Sequence, residues 1–288
     1  MDFLGTWIDD WLKGLLVEGI MGNLSDLFGN VNTQVGDIAA NVGMTPWAFN
    51  PGVFALIRTL SETVVLPIAG LLLTFVSTWE LIQMIVEQNH MHHMDTWVLF
   101  KWTFKTAATV LILSNTFNIV MAIFDMSQHV VNNAAGIISG STAITLDIMA
   151  TLEADLMLME VGSLIVLLLQ SFLMRLTVIA LDIIVFIIVY GRMIEIYILT
   201  SLAPLPMATL TSRHMGGMGG NYLRSLFAVG FQGLLIMVCL AIYAALVRGI
   251  AVGGDPIMAI WNAIGYTVLL CLTLFKTGSI SKSIFHSH

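Results

Sequence analysis

The sequence predicts an all-α, polytopic transmembrane protein with about five spans. Hydrophobic residues make up 58% of its 288 residues and charged residues only 10%, whereas soluble domains carry roughly 25% charged residues. The mean hydropathy is +0.92, and several apolar runs reach the roughly 20 residues that a helix needs to cross a bilayer. The net charge of −7 disfavours a surface that coats nucleic acid, because such surfaces are normally basic.

Residues 1–50 are predicted to form an extracytoplasmic or interfacial segment that begins with an amphipathic helix. Residues 2–16 place apolar side chains at helical spacing on one face, which is typical of a helix lying in the interface plane: Leu4, Trp7, Ile8, Trp11, Leu12 and Leu15. Residues 21–50 are too polar and too rich in Gly and Asn to span. They are interpreted either as an ordered or partner-binding extracytoplasmic segment or as a linker.

Residues 51–288 are predicted to form the transmembrane domain. Asn50 and Pro51 resemble an N-cap and the first helical residue, so the first helix is expected to begin before the membrane. Lys101 and Lys105 lie one turn apart, where their ammonium groups can reach one interface. The predicted spans are 64–86, 98–124, 163–190, 225–247 and 256–275.

The apolar stretch 161–210 is difficult to divide into helices, since it looks too long for one helix and too short for two helices with a loop. Pro204 and Pro206 predict a broken or re-entrant helix near 192–211, because each removes a backbone donor. Cytoplasmic loops carry excess Lys and Arg, and one crossing of this stretch puts seven basic residues inside and three outside. The inside residues are Lys101, Lys105, Arg192, Arg213, Arg224, Lys276 and Lys282, and the outside ones are Lys13, Arg58 and Arg248.

This count predicts a multi-pass protein with its N-terminus outside and its C-terminus in the cytoplasm. It also makes residues 125–160, which contain acidic residues and no Lys or Arg, an exported loop.

Arg175 and Asp182 are candidate functional residues, because they are seven residues apart inside the third predicted span. A charge at the bilayer centre costs roughly 2.5–3.5 kcal/mol, so both must face protein or water. They are interpreted either as pore-lining or gating charges, or as part of an ion pair between helices or subunits that fixes packing.

A second group of candidates surrounds the predicted helix break. Broken backbone at membrane depth is tolerated only where it is buried in protein or faces water. This makes the region either a pore mouth or docking site, or a simple kink. Its candidates are Tyr190, Arg192, Glu195, Pro204 and Pro206. The glycine-rich residues 214–224 that follow lack the Gly-Lys-Ser/Thr of a phosphate-binding loop and are predicted to be a flexible hinge.

No catalytic signature is present, so the chain is predicted not to be an enzyme and to need no cofactor. Ser-His-Asp, paired catalytic carboxylates and HExxH are all missing from the sequence. His90, His92 and His93 form a compact run with Asp95, and imidazoles bind transition metals. Structural zinc sites take their ligands from separated pairs of residues, and this short run has no second pair. We therefore interpret it as a solvated loop and not as a metal site.

Long segments of the chain resemble the TrbL-type conjugal transfer proteins, in the branch found on integrative conjugative elements of Firmicutes. The segments are GIMGNLSDLFGN, VGDIAANVGMTP, IRTLSETVVLPIAGLLLTFVSTWELIQMI, VYGRMIEIYILTSLAPLPMAT, NYLRSLFAVGFQGLLIMV and GYTVLLCLTLFKTGSISKSIF. The resemblance implies a subunit of a type IV secretion system in the bacterial inner membrane. It further implies a homo-oligomer that contacts the secretion ATPases and other subunits and assists passage of a DNA–relaxase substrate.

Two other functions stay open at this point. One is a stand-alone small-solute transporter or channel, although the single helix break and the lack of a visible inverted repeat disfavour it. The other is a structural assembly factor that has lipid as its main ligand. The acidic net charge limits any transient DNA contact to local basic positions.

Overall fold

A computed structural model of the chain describes residues 2–87, 96–139, 153–210, 212–250 and 256–287, and these residues form helices and turns with no β-strand. The main helices are α1 (Asp2–Val42), α2 (Pro46–Phe49), α3 (Pro51–Leu60), α4 (Leu66–Glu87), α5 (Thr96–Ser114), α6 (Thr116–Ser139), α7 (Val161–Leu202), α8 (Pro204–Met207), α9 (Gly216–Ile250) and α10 (Pro256–Ile284). A π-helical turn, Ser61–Val65, joins α3 to α4. The all-α prediction is confirmed.

Four helical segments among the described residues are long and apolar enough to cross a membrane. They are Pro51–Glu87, Val161–Leu202, Gly216–Gly249 and Ile260–Ile284. The pair α5 and α6 adds a fifth if it counts as one span, and its two helices are bent by 66°. The prediction of a polytopic helical protein with about five spans is therefore confirmed.

The helix starts near residue 50 follow directly from their capping residues. The Thr45 hydroxyl accepts a hydrogen bond from the Ala48 amide at 3.0 Å, and Asn50 Oδ1 accepts one from the Val53 amide at 3.1 Å. Proline follows each cap at the first helical position, where its missing N–H leaves no backbone bond unmade. The predicted Asn50–Pro51 start is confirmed.

The stretch 161–210 does not form one helix, and the break predicted near 192–211 is present. α7 is continuous through Leu202, so residues 192–202 of the predicted break are helical. A 42-residue helix is about 63 Å long at 1.5 Å per residue, roughly twice the hydrocarbon core. The break itself follows at Ala203, where Pro204 ends the helix.

Two other segments contain more helix than the sequence suggested. The predicted amphipathic helix of residues 2–16 continues as α1 to Val42, and Ile8, Trp11 and Leu15 are more than half exposed along it. The first part of the predicted exported loop, residues 125–139, belongs to α6. Residues 140–152 and the histidine run 90–93 lie outside the described residues.

The chain forms two compact units. The first comprises Met1–Val42, Val131–Val189 and Leu234–Thr277. Its core is apolar and is built from faces that recur at helical spacing: Leu16, Ile20 and Leu24 of α1, Leu164, Leu167, Met174 and Leu181 of α7, Ile236 and Leu240 of α9, and Ile260 and Leu270 of α10.

The second unit comprises Gly43–Val130, Tyr190–Gly233 and Gly278–His288. Its apolar core contains Leu73, Leu113, Val120, Phe124, Ile196, Met207, Leu226 and Val229. The π-helical turn, the bend between α5 and α6 and the proline break all lie in this unit, so its helices are the irregular ones.

Candidate functional site: buried polar groups of the second unit

Arg192 is a buried guanidinium that binds the backbone of α9. It is 3% exposed. Its Nε donates to the Val229 carbonyl at 3.1 Å and its Nη2 to the Gly230 carbonyl at 3.0 Å. The hydroxyl of Ser281 on α10 donates to the neighbouring carbonyl of Ala228. Three successive carbonyls of α9 thus accept side-chain donors from two other helices, which fixes the position of α9 along both.

Gly230 is required at this position because α6 approaches closely. A Cβ atom added at Gly230 would lie 2.5 Å from the Ser127 hydroxyl oxygen. Ser127 is itself buried, and its hydroxyl donates to the Ile123 carbonyl at 2.8 Å. The same stretch of α9 therefore accepts hydrogen bonds from Arg192 and packs directly against α6.

The break after α7 is held by hydrogen bonds that replace those lost to proline. Pro204 has no N–H, and the Ala203 amide bonds the Thr200 carbonyl at 3.4 Å instead of reaching Leu199. The Leu199 carbonyl accepts a hydrogen bond from the Tyr222 hydroxyl at 2.7 Å. An unpaired buried carbonyl is costly, so Tyr222 of α9 caps the end of α7.

The glycine-rich segment predicted as a flexible hinge is helical from Gly216 onward, and two of its four glycines serve close packing. Gly216 and Gly219 lie in the first turn of α9. A Cβ atom at Gly219 would lie 2.7 Å from the Pro206 carbonyl oxygen and 3.1 Å from Leu210 Cα, both backbone atoms. Only glycine lets α9 begin this close to the proline segment.

Glu80 is the buried carboxylate that the sequence reasoning missed. It is 5% exposed. Oε1 accepts a hydrogen bond from Lys105 Nζ at 3.1 Å, and Oε2 accepts from the Arg213 amide at 3.0 Å and from the Ser212 hydroxyl at 3.3 Å. The signal was present, because Glu80 is an acid inside the predicted span 64–86, and such residues are by default functional candidates.

These bonds join three separate parts of the chain around one carboxylate. Glu80 comes from α4, Lys105 from α5, and Ser212 and Arg213 from the segment between α8 and α9. Trp102 adds a second α5–α4 link, since its indole N–H donates to the Ser77 carbonyl at 2.8 Å. The segment after the proline break is thereby held against α4 and α5.

The other predicted candidates do not gather around these groups. Glu195 forms an ion pair with Lys282 at 2.9 Å, and both side chains are partly exposed. Tyr190 packs edge-on against Phe49 with ring centroids 4.9 Å apart. Pro204 is buried within the break, and Pro206 is partly buried there.

Arg175 and Asp182 lie in the first unit. Arg175 Nη2 is 3.9 Å from Asp26 Oδ2 of α1, and both side chains are more than half exposed. Asp182 is exposed further along α7. Among the described residues, no group of three or more His, Cys, Asp or Glu side chains is placed to hold a metal ion.

The model of the TrbL/VirB6 plasmid conjugal transfer-like proteins matches residues 31–204. The chain belongs to this family. Neither the curated proteins nor the solved structures contain a match to it. The matched range of this TrbL/VirB6-family chain contains Glu80, Arg175, Asp182 and Arg192 and ends at Pro204.

Family membership and fold together identify the general class of this protein. As a member of the TrbL/VirB6 family it is a conjugal transfer component, and its apolar helices make it a multi-pass membrane protein. The family is one of structural transfer components and not a known enzyme family. The predicted resemblance to TrbL-type proteins is confirmed.

Proposed function

We propose that the chain is a channel or scaffold subunit of a conjugative type IV secretion system, and that it assembles as a homo-oligomer in the cell membrane. In this proposal it assists transfer of a DNA–relaxase substrate and takes its energy from the ATPases of the system. Family membership supports transfer over the stand-alone solute transporter. The N-terminus lies outside, with residues 1–50 extracytoplasmic or interfacial. Residues 51–288 form the membrane domain, whose C-terminus lies in the cytoplasm.

The observation that carries the proposal is exposed charge on the most apolar helix. α7 has the highest mean hydropathy of the four spanning segments, 2.6, and it is the least buried of them. Its outer surface is covered by large apolar side chains such as Leu169, Phe172 and Ile183, each more than half exposed. Arg175 and Asp182 interrupt this surface with charge, and Asp26 of the neighbouring α1 pairs with Arg175.

Exposing these charged side chains to lipid is energetically unfavourable. Each charge near the bilayer centre costs about 2.5–3.5 kcal/mol, and an ion pair as long as 3.9 Å recovers little of it when both partners are exposed. A neighbouring subunit or an aqueous path would remove the cost. A ring of subunits supplies both, and it also encloses a wider opening than five helices of one chain can form.

The proposal is tested by separating assembly from transfer. Arg175→Gln and Asp182→Asn are compared with Lys13→Gln and Glu87→Gln, which neutralise charges elsewhere. The oligomer is weighed by native mass spectrometry in nanodiscs, and transfer is measured as mating frequency. We expect both α7 variants to lower mating at least tenfold, while the two controls stay near wild type.

The two measurements distinguish a subunit interface from a path lining. Loss of the oligomer together with mating places Arg175 and Asp182 between subunits. An intact oligomer with lost mating places them along the path. A wild-type protein that is a stable monomer, or wild-type mating in both α7 variants, contradicts the proposal.

A further inference from the structure

Helices α1 and α7 of the first unit run side by side in the same direction. Their contacts, in order along both helices, are Gly19 with Leu168, Asn23 with Ser171, and Asp26 with Arg175. The Asn23 amide donates to the Ser171 hydroxyl at 2.9 Å. Because the contacts advance by seven residues along each helix, residues 18–26 of α1 lie level with residues 167–175 of α7.

The exposed face of α7 at this level is apolar. Leu169, Phe172 and Leu173 are 75%, 56% and 44% exposed. They belong to Val161–Leu202, which has the length and hydropathy of a spanning helix, and large apolar side chains favour hydrocarbon over water. This level of the first unit therefore corresponds to the interior of the bilayer.

The exposed face of α1 at the same level has the opposite character. Among the α1 residues beyond Leu15 whose side chains the structure describes, the exposed ones are small or acidic: Glu18, Gly22, Ser25, Asp26, Gly36, Asp37 and Ala40. Glu18, Gly22 and Ser25 are spaced four and three residues apart, so they share one face of the helix. Trp11, exposed two turns earlier, suits the membrane–water interface.

A cavity lies against this face of α1. Its volume is about 540 Å³, and it is lined by Gly14, Val17, Glu18, Met21, Gly22, Ser25, Glu153 and Met157. The two glycines leave space where side chains would otherwise stand, and Glu18 and Glu153 contribute carboxylates. The lining residues include no basic side chain. A space of this size and polarity holds more than about ten waters.

The energy of the charged groups decides what this face contacts. A carboxylate near the bilayer centre costs roughly 2.5–3.5 kcal/mol, and Glu18 and Asp26 both lie on the exposed side of α1 at that depth. Lipid is therefore a poor neighbour for α1 where it is a good one for α7. A tightly packed protein partner would need cations to offset two carboxylates, whereas water solvates them directly.

We propose that the face of α1 from Glu18 to Asp26 lines a water-filled vestibule at membrane depth that opens to the extracytoplasmic side. The vestibule forms part of the transfer path, and in this respect the inference rests on the proposed function. Arg175 borders the same water through its pair with Asp26. The acidic wall concentrates cations and repels phosphate, so a nucleic acid passing through the vestibule does not adhere to it.

Spin labels at two positions of equal depth test the contact with water. Ser25→Cys on α1 and Leu173→Cys on α7 are made in a background carrying Cys239→Ala and Cys271→Ala, and the labelled proteins are placed in nanodiscs. Collision with oxygen reports lipid, and collision with a polar nickel complex reports water. We expect the label at Ser25 to meet the nickel complex about tenfold more often than the label at Leu173, because polar solutes are excluded from hydrocarbon.

The other outcomes overturn the proposal. Oxygen contact at both positions means that α1 faces lipid, and nickel contact at both means that this level lies outside the bilayer. A Ser25 label that meets neither reagent is covered by protein. Gly22→Cys is a second probe of the same face, and it is expected to fold because no atom lies within 4 Å of a Cβ atom at Gly22. Thermal unfolding checks each variant.

Labelling of donor cells tests whether the vestibule belongs to the path. A bulky, membrane-impermeant maleimide is added outside cells that carry Ser25→Cys or Leu173→Cys, and mating frequency is measured. We expect labelling to proceed only at Ser25 and to lower mating at least tenfold. Unchanged mating after complete labelling at Ser25 overturns the assignment to the path. The collision measurements do not involve conjugation, so a lipid-facing Ser25 removes the vestibule and leaves the proposed function standing. A monomeric wild-type protein removes the proposed function without changing the collisions.

Discussion

The two units of the molecule differ in the charge that they bury. In the first unit the core is apolar, and Arg175, Asp26 and Asp182 stay exposed on apolar helices. In the second unit Arg192 and Glu80 are buried, and each accepts or donates hydrogen bonds within the unit. A polar group in a membrane protein must be satisfied somewhere. The second unit holds Arg192 and Glu80 in its interior, whereas the first leaves the Arg175–Asp26 pair open to its surroundings.

The two units also differ in the regularity of their helices. Described helices of the first unit run regularly, whereas the second contains a π-helical turn, a 66° bend and a proline break. Specific contacts stabilise two of these irregularities: Asn115 at the bend, and Tyr222 and Gly219 at the proline break. Mutations that remove these contacts should therefore affect the second unit more than matched changes in the first.

The largest expected effect is at Glu80. Replacing Glu80 with Ala leaves Lys105, Ser212 and the Arg213 amide without their carboxylate. We expect an unfolding free energy lower by about 3 kcal/mol, at the low end for a broken buried pair because Lys105 is partly exposed. Thermal unfolding in detergent micelles measures it. Glu87→Ala, in an exposed pair, should lose under about 1 kcal/mol, and a similar loss in both variants would refute the interpretation of Glu80 as an anchor.

The next effect concerns the glycines. Gly219→Ala places a methyl group against backbone atoms that cannot rotate away, and overpacking of this kind costs about 2 kcal/mol. Gly22 in α1 of the first unit has no atom within 4 Å of an added Cβ. Gly22→Ala should therefore raise stability by about 0.5–1 kcal/mol through helix propensity. Thermal unfolding of the two variants should shift in opposite directions.

Arg192 and Arg175 give the most direct comparison of the units. Arg192→Met removes two charge-assisted bonds to carbonyls but also a desolvated charge, so we expect a net loss of about 1.5 kcal/mol. Arg175→Met in the isolated protomer should cost under about 1 kcal/mol, because its partner is exposed. Chemical denaturation of the protomer compares them. A larger loss for Arg175 would mean that the first unit needs its charges for folding as well as for partners.

The smallest expected effect is at the tyrosines. Tyr222→Phe removes the hydroxyl that caps the Leu199 carbonyl, at a cost of about 1 kcal/mol. In the first unit the Tyr243 hydroxyl lies 3.0 Å from the Thr267 hydroxyl, which also donates to the Ala263 carbonyl at 2.8 Å. Tyr243→Phe should cost about half as much, because Thr267 keeps its backbone partner. Melting temperatures of the two variants test the order.

Much of this molecule follows from local sequence. The apolar runs predict helices because a chain with 10% charged residues cannot form a water-facing surface. Asn50 and Pro51 define a helix start, and Pro204 ends α7, since each acts on the backbone beside it. These features need no information about neighbours in space, and the structure contains all of them.

The tertiary structure decided what distant residues do for one another. In the sequence, Glu80 does not differ from the other acidic residues, and only the structure shows that α5 and the segment after α8 supply its hydrogen-bond donors. Gly219 suggested mobility in the sequence, whereas in the structure a Cβ atom at this position would lie 2.7 Å from the Pro206 carbonyl oxygen. The sequence placed the break only near 192–211, and the structure places it at Ala203, because hydropathy measures the preference for lipid and does not measure helix length. Composition and caps act locally and can be predicted, whereas the partner of a buried polar group is chosen by packing between residues far apart in the chain.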